Sequence, residues 1–252
     1  MWNFKIVEEK KINIKGLKIN YKIIGEGKPL LILHGWGSRS DNWQKVGELL
    51  SARGIKVIIP DLPGFGASNN PKTAWSIDDY CDFIEEFIKI LNLEKFSLLG
   101  HSFGGSLSIK CSLRFPEKIE KLFLVSAACF RRNGFKKRAL FIIAKIFKVF
   151  SFVPFLRKAF YKFIVRKSDY PYTQGIMKDI YLKIIKTDLS DILEKVKIPT
   201  VIIWGEKDKI TPLRQGKIIN QRIKNSQLRI ISKVGHDLNL KNPEELVKEI
   251  LS

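Results

Sequence analysis

The chain has 252 residues, 45% apolar and 28% charged, enough apolar material for a sizeable core, which argues against a disordered chain. Its 45 Lys and Arg against 25 Asp and Glu give a net charge of +20, and its three cysteines have neither metal-ligand nor C-x-x-C spacing. An odd cysteine count argues against a disulfide framework and fits a reduced, cytoplasmic setting, and the charged stretch Met1 to Lys11 lacks the apolar core of a signal peptide.

In chain order, two extended stretches, Phe4 to Val7 and Leu17 to Ile24, flank Gly16 and predict antiparallel lead-in strands. Apolar runs near 30–33, 55–59, 96–99, 121–126, 200–204 and 228–231 then alternate with helical patterns near 42–52, 77–91, 103–114, 213–221 and 244–251. That alternation predicts an α/β class fold: a mostly parallel sheet covered by helices on both faces. From about 128 to 190 the rhythm breaks. Helix-like stretches there are interrupted at Pro154 and Pro171, with no strand signal. The expected organisation is therefore a core of 1–127 and 191–252 carrying a helical lid, 128–190, inserted after the sixth major strand.

The lid also concentrates charge. Between Lys121 and Ser168 there are thirteen basic residues and no acidic one. On a helical wheel Lys137, Arg138, Lys145 and Lys148 share a sector of about 100°, while Leu140, Ile142, Ile143, Ile146, Phe147, Val149 and Phe150 fill the rest. So wide an apolar face can roof a site and, rimmed by Lys and Arg, touch an anionic membrane surface peripherally. It is too interrupted to span a bilayer, because Lys145, Lys148 and Pro154 break the run. Nucleic acid is not an expected partner: the basic residues are interleaved with Phe and Ile and no nucleic-acid motif accompanies them. The bland alternative is a solvated face in a lysine-rich chain.

The chemistry-bearing motif is Gly100-His101-Ser102-Phe103-Gly104-Gly105, which follows an apolar run and opens a helical pattern. It reads as a serine on a tight strand-to-helix turn, the small residues allowing strand and helix to approach closely. Asp208 follows the run ending at Trp204, and His236 follows the run 228–231 through Val234-Gly235. The resulting order Ser, Asp, His is that of neither chymotrypsin nor subtilisin. Upstream, His34-Gly35-Trp36-Gly37 closes another apolar run.

HGWG (34–37), DLPGFGAS (61–68), GHSFGG (100–105), IPTVIIWGEKDKITP (198–212) and VGHDLNLKNPEEL (234–246) together resemble the α/β-hydrolase family over nearly the whole chain. The resemblance implies Ser102 as nucleophile, His236 as general base and acid, and Asp208 as its orienting carboxylate, with the backbone N–H groups of Trp36 and Phe103 as oxyanion hole. It implies no cofactor and no metal. His34, His101 and Asp61 are read as structural, Asp61 fixing its own turn, and Ser126-Ala127-Ala128 offers no rival acid after the sixth strand. Cys129, Phe135, Phe141 and Phe147 are the candidate substrate-binding residues, with Cys129 otherwise an ordinary buried thiol.

The expected function is a cofactor-independent serine esterase acting on a small-molecule ester with a lipophilic acyl or aryl group. Similar families keep other chemistries open. Carbon–carbon bond hydrolases carry tryptophan after the histidine where this chain has Asp237, and menaquinone-pathway lyases often carry arginine where it has Ser106. Haloalkane dehalogenases need an aspartate where Ser102 stands. A small-molecule receptor with slow turnover uses the same triad and would stall after about one cycle per molecule.

Overall fold

The computed structural model describes residues 7–130 and 174–252. Its eight strands are β1 (Val7–Ile14), β2 (Leu17–Ile24), β3 (Lys28–Leu33), β4 (Ile55–Pro60), β5 (Phe96–His101), β6 (Ile119–Val125), β7 (Thr200–Gly205) and β8 (Ser226–Ile231). They form one sheet in the order β1-β2-β4-β3-β5-β6-β7-β8. β1 and β2 run antiparallel, β2 meets β4 antiparallel, and every pairing from β4 to β8 is parallel. The helices are α1 (Gln44–Ser51), α2 (Ile77–Ile90), α3 (Phe103–Arg114), α4 (Ile176–Ile184), α5 (Leu213–Arg222), α6 (Leu238–Lys241) and α7 (Pro243–Leu251).

Strand periodicity divides the core in two. Leu31, Leu33, Ile58, Leu98, Leu122, Leu124, Ile202 and Trp204 point to one face, where α2, α3 and Ile219 of α5 cover them. Their neighbours Leu30, Ile32, Val57, Leu99, Phe123, Val125, Val201 and Ile203 point to the other, under α1 and α7. Every central strand is thus apolar on both sides, so strands buried in a parallel sheet read as continuous hydrophobic runs. A capping box starts α2: the Asp79 N–H donates to Ser76 Oγ, and the Ser76 N–H donates back to Asp79 Oδ2 at 2.7 Å.

From β3 the chain steps outward to β4, then returns past β3 to β5. The strand order therefore reverses between β3 and β5, the place in an open parallel sheet where binding sites usually form at the carboxyl ends of the strands.

One lead-in strand extends beyond the expected stretch. It runs Val7–Ile14, meeting the expected Phe4 to Val7 only at Val7 because residues 4–6 lie outside the described residues, with Glu8, Glu9, Lys10 and Lys11 exposed along the outer edge of the sheet. Charges on an edge strand guard its unpaired backbone against other chains, and they hide the strand from a hydropathy reading. The helix expected at 42–52 is a 3-10 turn, Ser40–Trp43, followed by α1. Most of the expected lid, with Phe135, Phe141, Phe147 and the basic wheel, lies outside the described residues. Its described carboxyl end is α4, which buries Met177, Ile180 and Tyr181 against the core. No described helix is long and apolar enough to cross a membrane.

Candidate active site

Ser102 sits between β5 and α3 with φ 52° and ψ −114°. A non-glycine residue there carries about 1–3 kcal/mol of backbone strain and persists only where its surroundings fix it. They do. Its N–H donates to Val125 O at 3.0 Å, and its carbonyl accepts from the N–H groups of Gly105 (3.0 Å), Ser106 (3.3 Å) and Ala128 (3.0 Å). Gly104 lets the helix start against β3: a Cβ there would lie 2.0 Å from Leu33 O. Gly35 abuts the turn from the other side, a Cβ on it falling 3.2 Å from Ser102 Cβ. Among the described residues Ser102 Oγ makes no hydrogen bond, and the Trp36 and Phe103 N–H groups donate to no oxygen.

Asp208 and His236 meet because the loops after β7 and β8 are pressed together. A Cβ on Gly205 would strike Gly235 O at 2.3 Å, and the Lys207 N–H donates to Val234 O at 2.8 Å. His236 Nδ1–H donates to Asp208 Oδ2 at 2.8 Å, leaving the Nε2 lone pair for a proton. Asp208 Oδ1 accepts from the N–H groups of Ile210 (2.8 Å) and Thr211 (2.9 Å). Burial raises the Asp208 carboxyl, but hydrogen bonds and charge from His236, with those from Thr211, outweigh it and hold it below the ordinary carboxylate range. The ionised carboxylate is thus favoured as an acceptor behind an imidazole, the arrangement a general base needs.

The other histidines are buried and tied. The Leu62 N–H donates to His34 Nε2 at 2.9 Å, so His34 Nδ1–H donates to Gly35 O at 2.8 Å, binding the loop after β3 to the loop after β4. His101 Nε2–H donates to His236 O at 3.1 Å, and the two rings are 4.8 Å apart. Asp61 accepts from the N–H groups of Ser40 (2.6 Å) and Ala67 (2.9 Å) and from Asn20 Nδ2 (3.1 Å), which fixes its turn. Cys129 is wholly buried in the core, and burial pushes its thiol up. No local sequence pattern signals the aromatic nest around Trp36: its ring lies 4.9 Å from Phe65, 5.6 Å from Phe103 and 5.2 Å from Tyr181 of α4.

Burial lowers His34 to about 4 and His101 to about 3, against 6.5 for an unperturbed histidine. Below that ordinary value the unfolded chain binds protons that the folded chain refuses, so stability falls as pH falls, by about 1.4 kcal/mol per pH unit for each histidine. The Asp61 and Asp208 carboxyls, both lowered, surrender their contribution only below the ordinary 3.8. The urea midpoint should therefore drop steadily from about pH 6.5 to about pH 4.5 at constant m, and a flat midpoint would mean these histidines are protonated in the fold.

The family pattern described as alpha/beta hydrolase fold matches residues 28–168 and 158–243. The chain belongs to the α/β-hydrolase family. Lipase 3 of Moraxella sp. (strain TA144) is 29% identical to it over 234 residues, covering 83% of this chain and 72% of that protein. The 2-hydroxy-6-oxo-2,4-heptadienoate hydrolase of Pseudomonas putida is 26% identical over 246 residues, with 88% and 87% covered. A hydrolase from Pseudomonas aeruginosa PA01 shares the fold at a TM-score of 0.76 and 20% identity, covering 97% of each chain. This α/β hydrolase is a hydrolytic enzyme.

Proposed function

We propose that this α/β hydrolase cleaves carboxylic esters of lipophilic acyl groups through an acyl-enzyme on Ser102. The observation that carries the reading is the Asp208–His236 pair at 2.8 Å on loops beside a serine held in a strained turn. Ser102 Oγ attacks the acyl carbon as its proton passes to His236 Nε2, and the tetrahedral oxyanion accepts from the N–H groups of Trp36 and Phe103. Collapse sends the proton to the departing alcohol. Water, deprotonated by His236, then attacks the acyl-enzyme and releases the carboxylic acid and free Ser102. Each oxyanion donor of this kind lowers the barrier by about 3 kcal/mol.

The lipophilic preference is supported by the aromatic nest at Trp36, by the phenylalanines of 128–190, and by the name of the Moraxella relative. On this reading the segment serves as the lid and its lysines and arginines meet anionic lipid. Turnover of p-nitrophenyl esters should rise from acetate toward laurate. With substrate carried in anionic vesicles, neutralising Arg138, Lys145 and Lys148 together should lower the rate. A preference for acetate removes the lipophilic pocket, and vesicle rates unchanged in the triple variant remove the membrane face.

The Pseudomonas putida relative favours a second reading, hydrolysis of a carbon–carbon bond in a dienoate on the same residues. Asp237 beside His236 weighs against it. Turnover of a vinylogous diketone acid with no ester turnover would put it first.

A further inference from the structure

We propose that Thr211 is a positioning residue for the hydrolytic reaction, clamping the Asp208 carboxylate so that Oδ2 stays turned to His236; this rests on the triad reading above. Thr211 is buried, 5% exposed. Its N–H donates to Asp208 Oδ1 at 2.9 Å, and its hydroxyl lies 2.8 Å from Asp208 Oδ2, 3.2 Å from His236 Nδ1 and 3.1 Å from Ser126 O. Trp204 Nε1–H donates to its carbonyl at 2.7 Å, which pins the residue to β7. One residue therefore grips both carboxylate oxygens.

The hydroxyl has one proton and two acceptors within reach. The carboxylate is charged and nearer, so it receives the proton, and a charge-assisted bond is about twice as strong as one to the neutral Ser126 carbonyl. The clamp is needed because the terminal torsion of an aspartate is soft and roughly two-fold. With Oδ1 held by the two backbone N–H groups and Oδ2 by the hydroxyl, the carboxylate plane cannot turn away from the imidazole. Without the hydroxyl, the His236 N–H alone holds Oδ2 in place, and His236 loses the fixed partner that selects its tautomer.

The test is the rate at which a fluorophosphonate labels Ser102 in the parent chain, Thr211→Ala and Thr211→Ser, with concentration varied to separate maximal rate from half-saturation. Thr211→Ala should lower the maximal rate roughly tenfold with half-saturation unchanged, as expected for losing a hydrogen bond to a charged group, and Thr211→Ser should restore it. In an Asp208→Asn background Thr211→Ala should add nothing, because both changes act on the same carboxylate. Should the alanine variant melt below assay temperature, Thr211→Val fills the volume without the hydroxyl. A hydroxyl-free variant that labels as fast as the parent, or whose loss is additive with Asp208→Asn, overturns the role of Thr211 alone. A parent that takes no label overturns the triad reading, and the clamp with it.

Discussion

Ser102→Ala should cut ester turnover by about 10⁴-fold or more and leave the melting temperature where it is, since the proposed acyl-enzyme route loses its nucleophile with one oxygen. Alanine keeps the Cβ, and the bonds that hold the turn are made by backbone atoms, to Val125 on one side and Gly105, Ser106 and Ala128 on the other. The strain at φ 52° therefore stays in place in the variant. Steady-state turnover and a thermal melt, taken together, check both halves. Turnover within about tenfold of the parent would mean that a different group attacks the substrate.

Gly104→Ala should cost the fold itself. The added Cβ would lie 2.0 Å from Leu33 O, 2.6 Å from Leu33 C and 2.7 Å from His34 O, all backbone, so no side chain can swing aside. Relief requires α3 to lift off the end of β3, which parts Phe103 from Trp36 and uncovers the apolar face below. Overpacking without relief costs about 4 kcal/mol or more, a large share of the roughly 5–15 kcal/mol that holds a domain together. The melting temperature should fall by about 10 °C or more, or the variant should be insoluble. A melt equal to that of the parent would show that strand and helix are farther apart than the structure has them.

What was legible in the sequence follows from period and punctuation. The central strands stood out because both faces of a parallel sheet bury apolar residues, so Leu30 to Leu33 or Val201 to Trp204 read as unbroken runs. Helix α3 was expected at its observed bounds, Phe103–Arg114, because the glycine-flanked serine marks its start. β1 was hidden because its outward residues are charged. The pairing of Asp208 with His236 is foreshadowed in the sequence, where a residue type and its place after a strand coincide. Other contacts between loops are not. Nothing local in Thr211-Pro212 tells that the hydroxyl reaches back to Asp208, nor does the spacing from 36 to 181 foretell that Tyr181 packs on Trp36. Such pairings depend on how closely two backbones approach, and Gly205 against Gly235 shows that one absent methyl group decides it.

The most direct test of the assignment is the intact mass of the parent chain after exposure to a fluorophosphonate. The expected result is the gain of a single phosphonyl group, with fluoride lost, mapped by peptide analysis to Ser102 and absent in Ser102→Ala and His236→Ala. An unmodified parent, or a label that persists in Ser102→Ala, would contradict the claim that Ser102 is the nucleophile and that His236 activates it.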